Sequence, residues 1–150
     1  MRNYTIPENK KFESLVGGIV KDHYGFKTMS PSGDYDHWDT EYTKDGELYR
    51  SENKDRAEET RDWVISGGAY FPLKKWERVM EDITNGIGWY CTYTFNKNIN
   101  EVYVYRFTDS IDFVLRANTG RTRQTRCPLD IQHYVLLPWD KFTNIGEKNA

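Results

Sequence analysis

The sequence has little cysteine and no long apolar run. Cys91 and Cys127 are its two cysteines, and neither stands in a CxxC or Cys/His spacing, so a structural zinc site has no support. We expect both thiols to be reduced. No stretch approaches the roughly 20 apolar residues that a membrane-spanning helix needs, and the polar start MRNYTIPENKK lacks the apolar centre of a signal peptide. These absences predict a soluble cytoplasmic protein, in the host cytoplasm if it is viral, with no membrane partner.

A strong charge of one sign is also missing. The formal net charge is -2, so composition alone does not indicate a nucleic-acid-binding protein. A local basic face can nevertheless coexist with acidic residues gathered in a site. The 150 residues fit one domain, residues 1–150, whose core needs no disulfide or metal. This size is compatible with a single active site.

Two segments have the apolar spacing of helices. PENKKFESLVGGIVKDHYGF, residues 7–26, begins with a proline suited to a first helical turn, and so does PLKKWERVMEDI, residues 72–83. The apolar stripes are Phe12, Leu15, Val16, Ile19 and Val20 in the first segment and Leu73, Trp76, Val79, Met80 and Ile83 in the second. Glycine costs about 1 kcal/mol in an exposed helix. The pair Gly17-Gly18 therefore indicates close packing against a sheet, or a local bend.

Runs rich in β-forming residues complete the predicted architecture. WYCTYTF and EVYVYRF, separated by the polar NKNIN, predict an antiparallel hairpin, and HYVLLPW predicts a final strand. IDFVLR is either a short strand or a helix start. Residues 28–36 look turn-forming, and DRAEETRDWVISGG is interpreted as a strand end and a mobile loop with Gly67-Gly68 as its joint. The order of elements predicts an α/β (α+β) domain with a central mixed β-sheet flanked by helices.

The segment HWDTEYTKDGELYRSENK, residues 37–54, predicts a second hairpin. Asp45-Gly46 supplies the positive backbone φ that a tight turn between antiparallel strands requires. Centring the turn there pairs opposite charges across the strands, but it also sets Asp39 against Glu52. Like charges that face each other destabilise a hairpin unless water, a cation or a basic side chain neutralises them.

This conflict of charges is resolved if the hairpin binds a metal. Strand alternation places Glu52 and Lys54 on one face of their strand and Asn53 on the other. With Asp39 opposite, two carboxylates and an ammonium converge. A hard cation such as Mg²⁺ binds through one or two carboxylates and keeps waters that phosphate oxygens replace. A lysine beside it can orient an attacking water or stabilise negative charge on a phosphorus centre, so the arrangement predicts phosphodiester hydrolysis.

The chain resembles the PD-(D/E)XK nuclease superfamily, which includes restriction-type endonucleases, Holliday junction resolvases and small phage nucleases. The resemblance lies in the order of a helix containing Glu13, then Asp39, a hairpin and Glu52-Asn53-Lys54. HWD, AYFPLKKWERVM, GWYCTYTF and EVYVYRF are similar to segments of the small phage-type members. The proline of the family name is absent, because Trp38 precedes Asp39, but members often lack it.

The resemblance implies a restriction endonuclease-like core and a DNA endonuclease that depends on Mg²⁺ or Mn²⁺, of phage type or selective for DNA structure. It implies Asp39 and Glu52 as metal ligands, Lys54 as the catalytic lysine, Glu13 as an outer ligand and the Asn53 carbonyl as a further ligand. It also implies duplex or branched DNA as partner, and it is compatible with a homodimer because two strands need two sites. The alternative for the hairpin is an exposed face with solvated charges, and for Glu13 an ordinary carboxylate on a helix flank.

Positive charge is concentrated near ANTGRTRQTR, residues 117–126, and on the second helix. The candidates for binding nucleic-acid phosphates are Arg116, Arg121, Arg123, Arg126, Lys74 and Lys75. The alternative is a solvated loop and an ordinary helix surface. Two other functions stay open: a nucleic-acid-binding or protein-binding module that keeps the nuclease-like fold without cutting, and a structural or inhibitory protein whose acidic hairpin binds a basic partner.

Overall fold

The computed structural model describes residues 8–109, 114–115 and 133–146. Its elements in chain order are α1 (Glu8–Tyr24), β1 (Thr28–Pro31), β2 (Thr40–Lys44), β3 (Glu47–Arg56), α2 (Arg61–Gly67), β4 (Ala69–Pro72), α3 (Leu73–Thr84), β5 (Gly88–Phe95), β6 (Tyr103–Arg106), β7 (Val114–Leu115), β8 (Tyr134–Leu137) and β9 (Thr143–Asn144). Short 3₁₀ turns at Glu58–Thr60 and Trp139–Lys141 precede α2 and β9. No helix in the described ranges is long and apolar enough to cross a membrane.

The described strands form two sheets. The larger has six strands in the order β1-β2-β3-β5-β6-β9, and the smaller has the order β4-β8-β7. In the larger sheet β3 and β5 are parallel, whereas the other neighbours are antiparallel. The connection from β3 to β5 runs through α2, β4 and α3, so two central strands are joined by a helical crossover. The predicted α+β domain with a mixed sheet and flanking helices is confirmed.

Alternate residues of β5 face two separate apolar clusters. Cys91 and Tyr93 pack in one cluster with Val79 of α3, whereas Tyr90 packs in the other with Val16 of α1. Successive side chains of a strand point to opposite faces. The central sheet therefore has α3 on one face and α1 on the other. The buried Cys91 is a free thiol, and burial raises its pKa, so it stays protonated at neutral pH; Cys127 lies outside the described residues.

The hairpin of β2 and β3 has the predicted register. Its pairs run from Thr40 with Ser51 at one end to Lys44 with Glu47 at the other. Asp45 and Gly46 form the turn with φ values of 53° and 80°. This conformation is one that Asp and Gly tolerate better than other residues, which is why the dipeptide identified the turn from sequence.

Two segments were interpreted wrongly from the sequence. Residues 28–36, expected to be a turn, begin with β1, an exposed edge strand that pairs with β2. The expected mobile loop contains α2, a helix of seven residues that leaves the Trp63 side chain 77% exposed. Neither segment has a regular apolar pattern of its own, so the sequence does not predict its structure. Each is stabilised instead by neighbours that are distant in sequence.

The close packing predicted for the glycine pair of α1 occurs at one of the two positions. A Cβ atom on Gly17 would lie 2.9 Å from Sδ of Met29 and 3.3 Å from Cγ2 of Thr40, whereas a Cβ on Gly18 would meet nothing within 4 Å. Gly17 thus allows α1 to approach the β1-β2 edge of the sheet. The predicted stripe of α1 was wrong at Leu15, which is 56% exposed.

Candidate active site

Glu52 is a buried carboxylate in the middle of the sheet. It lies on β3, and its residue is only 4% exposed. One oxygen, Oε1, accepts a hydrogen bond from the ammonium of Lys75 on α3. The other, Oε2, lies 3.5 Å from Nζ of Lys54 and, among the described residues, has no hydrogen-bond partner. A buried carboxylate oxygen without a hydrogen bond is costly, and the ammonium of Lys54 offsets that cost only as an ion pair.

Asp39 lies one residue before β2, where the regular ladder has already ended at Thr40 and Ser51. Its amide donates to the carbonyl of Ser51 at 2.9 Å, and its Oδ2 accepts from the amide of Asn53 at 2.8 Å. The direct ladder pair predicted between Asp39 and Glu52 therefore needs correction. The carboxylate of Asp39 itself reaches across and satisfies a backbone donor on β3.

The charges of these residues still act on one another. Burial raises the pKa of the Asp39 carboxyl, the hydrogen bond from Asn53 opposes that rise, and the negative charge of Glu52 adds to it. Lys75 and Lys54 lower the pKa, but the net direction is upward. Burial is the largest cause of this upward direction and the charge of Glu52 adds to it, so a divalent cation beside the two carboxylates would favour the ionised form of Asp39.

Glu13 joins the same electrostatic group from the opposite face of the sheet. It lies on α1 with its side chain 20% exposed, and Lys10 lies 3.9 Å away. Burial raises its pKa, as do the charges of Asp39 and Glu52, whereas Lys10 lowers it. The structure thus brings the predicted outer carboxylate within electrostatic range of the other two.

Asn53 has its side chain committed away from the carboxylates. Its Oδ1 accepts from Oγ1 of Thr92 at 2.9 Å, and its Nδ2 donates to Oγ1 of Thr40 at 3.3 Å. These contacts fix the alternation of β3, so that Glu52 and Lys54 share one face. They leave the backbone carbonyl as the group of Asn53 that could reach a metal.

A second polar network holds the segment just before Asp39. Oδ2 of Asp82 on α3 lies 2.7 Å from Nε2 of His37 and accepts from Arg50 at 3.0 Å and from the indole of Trp89 at 2.8 Å. The guanidinium of Arg50 also lies 3.6 Å from the ring centroid of Trp38. Because His37 and Trp38 directly precede Asp39, this network positions the metal-ligand candidate. His37 is thus engaged with Asp82.

The residues predicted to bind nucleic-acid phosphates differ in where the structure places them. Lys75 lies at the site itself, in contact with Glu52, whereas Lys74 is exposed on the same helix. Sequence reasoning placed both lysines on a surface for phosphates and missed the contact with Glu52. Only the fold reveals this contact, because Glu52 and Lys75 are 23 positions apart in the sequence. Arg116, Arg121, Arg123 and Arg126 lie outside the described residues.

The donors present fit a hard divalent cation. In the described part of the chain no three His, Cys, Asp or Glu side chains are grouped to hold a metal. Mg²⁺ does not need such a group, because it commonly uses one or two carboxylates and retains several waters. Asp39 and Oε2 of Glu52, which accepts no hydrogen bond among the described residues, provide that minimal set, and all the candidate donors are oxygens.

Comparison of the sequence with protein-family models and with curated proteins gives no significant match. The resemblance to the nuclease superfamily rests on the motif residues and their order.

Proposed function

We propose that this chain is a metal-dependent DNA endonuclease with a PD-(D/E)XK, restriction endonuclease-like core. The observation that carries the proposal is the buried Oε2 of Glu52, which lies 3.5 Å from Nζ of Lys54 and accepts no hydrogen bond among the described residues. Each oxygen of Glu52 has a lysine ammonium within ion-pair distance, but only Oε1 accepts a hydrogen bond. A cation bound beside Oε2 would supply the interaction that this buried oxygen lacks.

The order of elements supports the same function. A helix with Glu13 precedes the hairpin, Asp39 stands before its first strand, Glu52 and Lys54 lie on its second strand, and a helix and a parallel strand follow. This is the order on which the resemblance to the superfamily rests. Of the three motif residues, Glu52 and Lys54 lie on β3, and Asp39 lies one residue before β2 with its carboxylate on the amide of Asn53.

Each residue has a defined part in hydrolysis. Asp39 and Glu52, with the Asn53 carbonyl, would hold Mg²⁺ or Mn²⁺, which when bound makes a coordinated water acidic and neutralises phosphate charge. The ammonium of Lys54 stabilises negative charge that develops on the phosphate oxygens. Glu13, which is coupled to Asp39 and Glu52 through its charge, would act as an outer carboxylate that holds a water. Duplex cleavage needs a site for each strand, which a homodimer would supply.

A second candidate function is favoured by Lys75. Its ammonium already neutralises Glu52 in the way that a metal would, and a permanent ion pair there suits a nucleic-acid-binding module that does not cut. The side chain of Lys75 is 45% exposed, so it can also move aside. Dependence of cleavage on Mg²⁺ separates the two functions.

The test is cleavage of supercoiled plasmid and of four-way branched DNA by the full chain. We expect nicked or cut products with Mg²⁺ and none with EDTA. Lys54→Ala should lower the rate about 100- to 1,000-fold, as is typical when one group that stabilises transition-state charge is removed. Gel electrophoresis of time courses measures both effects.

The matched control is Lys27→Ala. Lys27 is exposed, pairs with Asp45 at 3.6 Å and stands at the turn end of the hairpin, away from Asp39. This variant should cut at the rate of the unmodified chain. Cleavage that ignores EDTA, or equal rates for Lys54→Ala and Lys27→Ala, would contradict the proposed function.

A further inference from the structure

A cleft of about 330 Å³ opens beside Lys54. It lies between the end of β3, helix α2 and strands β4, β5 and β8. Its volume falls at the lower end of the range typical of small-ligand sites, roughly 300–1,000 Å³. The aromatic and basic residues that line it are Lys54, Arg56, Trp63, Tyr70, Tyr93 and Tyr134.

The aromatic residues present ring surface to solvent. Trp63 on α2 is 77% exposed and Tyr70 on β4 is 44% exposed. The ring centroids of Tyr70 and Tyr134 lie 5.7 Å apart. Tyr93 forms a fixed wall, since it is buried and its hydroxyl donates to the carbonyl of Tyr70 at 3.0 Å. Exposed indole and phenol rings on a fixed wall provide stacking surfaces for a planar ligand.

The charged side chains that line the cleft are both basic. Lys54 and Arg56 lie two residues apart on β3 and so point to the same face. The guanidinium of Arg56 lies 5.8 Å from the ring centroid of Tyr93, inside the cleft. Among the described residues that line the cleft, none is acidic. A ligand that combines a planar ring with a negative charge complements these walls.

We propose that the cleft binds an unstacked nucleobase of a strand whose phosphate lies at Lys54. The proposal rests on the proposed function and deepens it, because Lys54 belongs to both the cleft and the candidate catalytic site. Aromatic side chains bind bases through their ring faces, which an intact duplex keeps stacked and hidden. The substrate class is therefore DNA with unpaired nucleotides next to the scissile phosphate, such as a flap or a branch point.

The test measures binding without chemistry. The full chain carrying Asp39→Asn, which removes one repelling carboxylate, is titrated with a duplex that bears a two-nucleotide single-stranded flap. The flap contains 2-aminopurine, whose fluorescence falls on stacking. A blunt duplex of equal length is the reference, at one fixed salt concentration. We expect the flap duplex to bind more tightly than the blunt duplex, and we expect binding to quench the 2-aminopurine fluorescence.

Adding Trp63→Ala should weaken binding of the flap about 5- to 150-fold, which corresponds to one lost base stack of roughly 1–3 kcal/mol. It should leave the blunt duplex unaffected, and Trp63→Phe should retain most of the preference. Ile65→Ala is the matched control, because Ile65 is also exposed on α2 but does not line the cleft.

Three outcomes would overturn the proposal: no preference for the flap, equal weakening of both DNAs by Trp63→Ala, or an effect of Ile65→Ala as large as that of Trp63→Ala. The last would indicate that α2 docks a protein partner. Failure of the nuclease function is seen separately, as absence of Mg²⁺-dependent cleavage by the unmodified chain. Retained cleavage without flap preference contradicts the nucleobase site alone.

Discussion

At the scale of single residues, Asp82 shows how a buried carboxylate can be stabilised by protein groups alone. Burial acts to raise its pKa, but hydrogen bonds from Trp89, His37 and Arg50 together outweigh burial and hold the pKa below its usual value. The folded state therefore favours the ionised form more than the unfolded chain does. The resulting stability is present above the unfolded pKa of about 4 and is lost as the pH falls below it.

We expect Asp82→Asn to lower the free energy of unfolding at pH 7 by about 1–3 kcal/mol, because it removes the charge that three donors share. The difference from the unmodified chain should shrink as the pH falls below about 4, because the unfolded chain then binds a proton at Asp82 that the folded state resists. Urea unfolding at pH 7 and pH 3 measures both values. Glu81→Gln, at an exposed neighbouring position, is the control and should change little. An Asp82→Asn effect that is unchanged at pH 3 would argue against this pH linkage.

At the scale of elements, α3 determines the state of the candidate site. It contacts the motif segment twice, with Lys75 on Glu52 near its start and Asp82 on His37 and Arg50 near its end. The first contact neutralises a buried carboxylate and the second positions the residues before Asp39. Together they keep the two carboxylates in place despite their repulsion.

We expect Lys75→Ala to destabilise the protein in EDTA by about 1 kcal/mol, a modest value because the lysine is 45% exposed and its charge is screened. Saturating Mg²⁺ should reverse the loss, since a cation at Glu52 replaces the missing ammonium. Thermal unfolding with and without Mg²⁺ measures this, with Lys74→Ala as the matched control on the same helix. If Mg²⁺ fails to restore the stability of Lys75→Ala, the function of a nucleic-acid-binding module that does not cut is favoured.

At the scale of the whole molecule, a metal bound at the proposed site would be linked to folding. A ligand that binds only the folded state at about 100 times its Kd stabilises that state by about 2.7 kcal/mol. For a domain of this size the gain corresponds to a rise in Tm of roughly 5–11 °C. Because Asp39 and Glu52 come together only in the folded hairpin, the unfolded chain offers no equivalent site.

We expect Mg²⁺ to raise the Tm of the full chain by this amount and Asp39→Asn to abolish the rise. In EDTA, Asp39→Asn should not lower the Tm, because asparagine keeps an oxygen for the Asn53 amide and removes the repulsion with Glu52. Asp45→Asn is the control, since Asp45 sits at the exposed turn with a φ that asparagine tolerates. Calorimetry measures the Tm of the unmodified chain and of both variants, each with Mg²⁺ and with EDTA. An equal effect of Mg²⁺ on the Tm of both variants would count against a site at Asp39.

The sequence predicted those features that depend on neighbours along the chain. Asp45-Gly46 set the hairpin register because few residues accept its turn conformation, and strand alternation put Glu52 and Lys54 on one face. The apolar spacing located α1 and α3 within one or two residues. It did not find β1 or α2, whose residues are mostly exposed and are held by pairing and packing with distant segments.

The tertiary structure alone decided which of these elements meet. The crossover from β3 to β5 brings Lys75 onto Glu52 and Asp82 onto His37, contacts across 23 and 45 positions that no local pattern encodes. The structure also differs from the predicted ladder pair between Asp39 and Glu52, because the Asp39 carboxylate accepts a hydrogen bond from the amide of Asn53. The reason is physical: periodicity and turn chemistry are properties of neighbouring residues, whereas the approach of a helix to a strand is fixed by how the whole core packs.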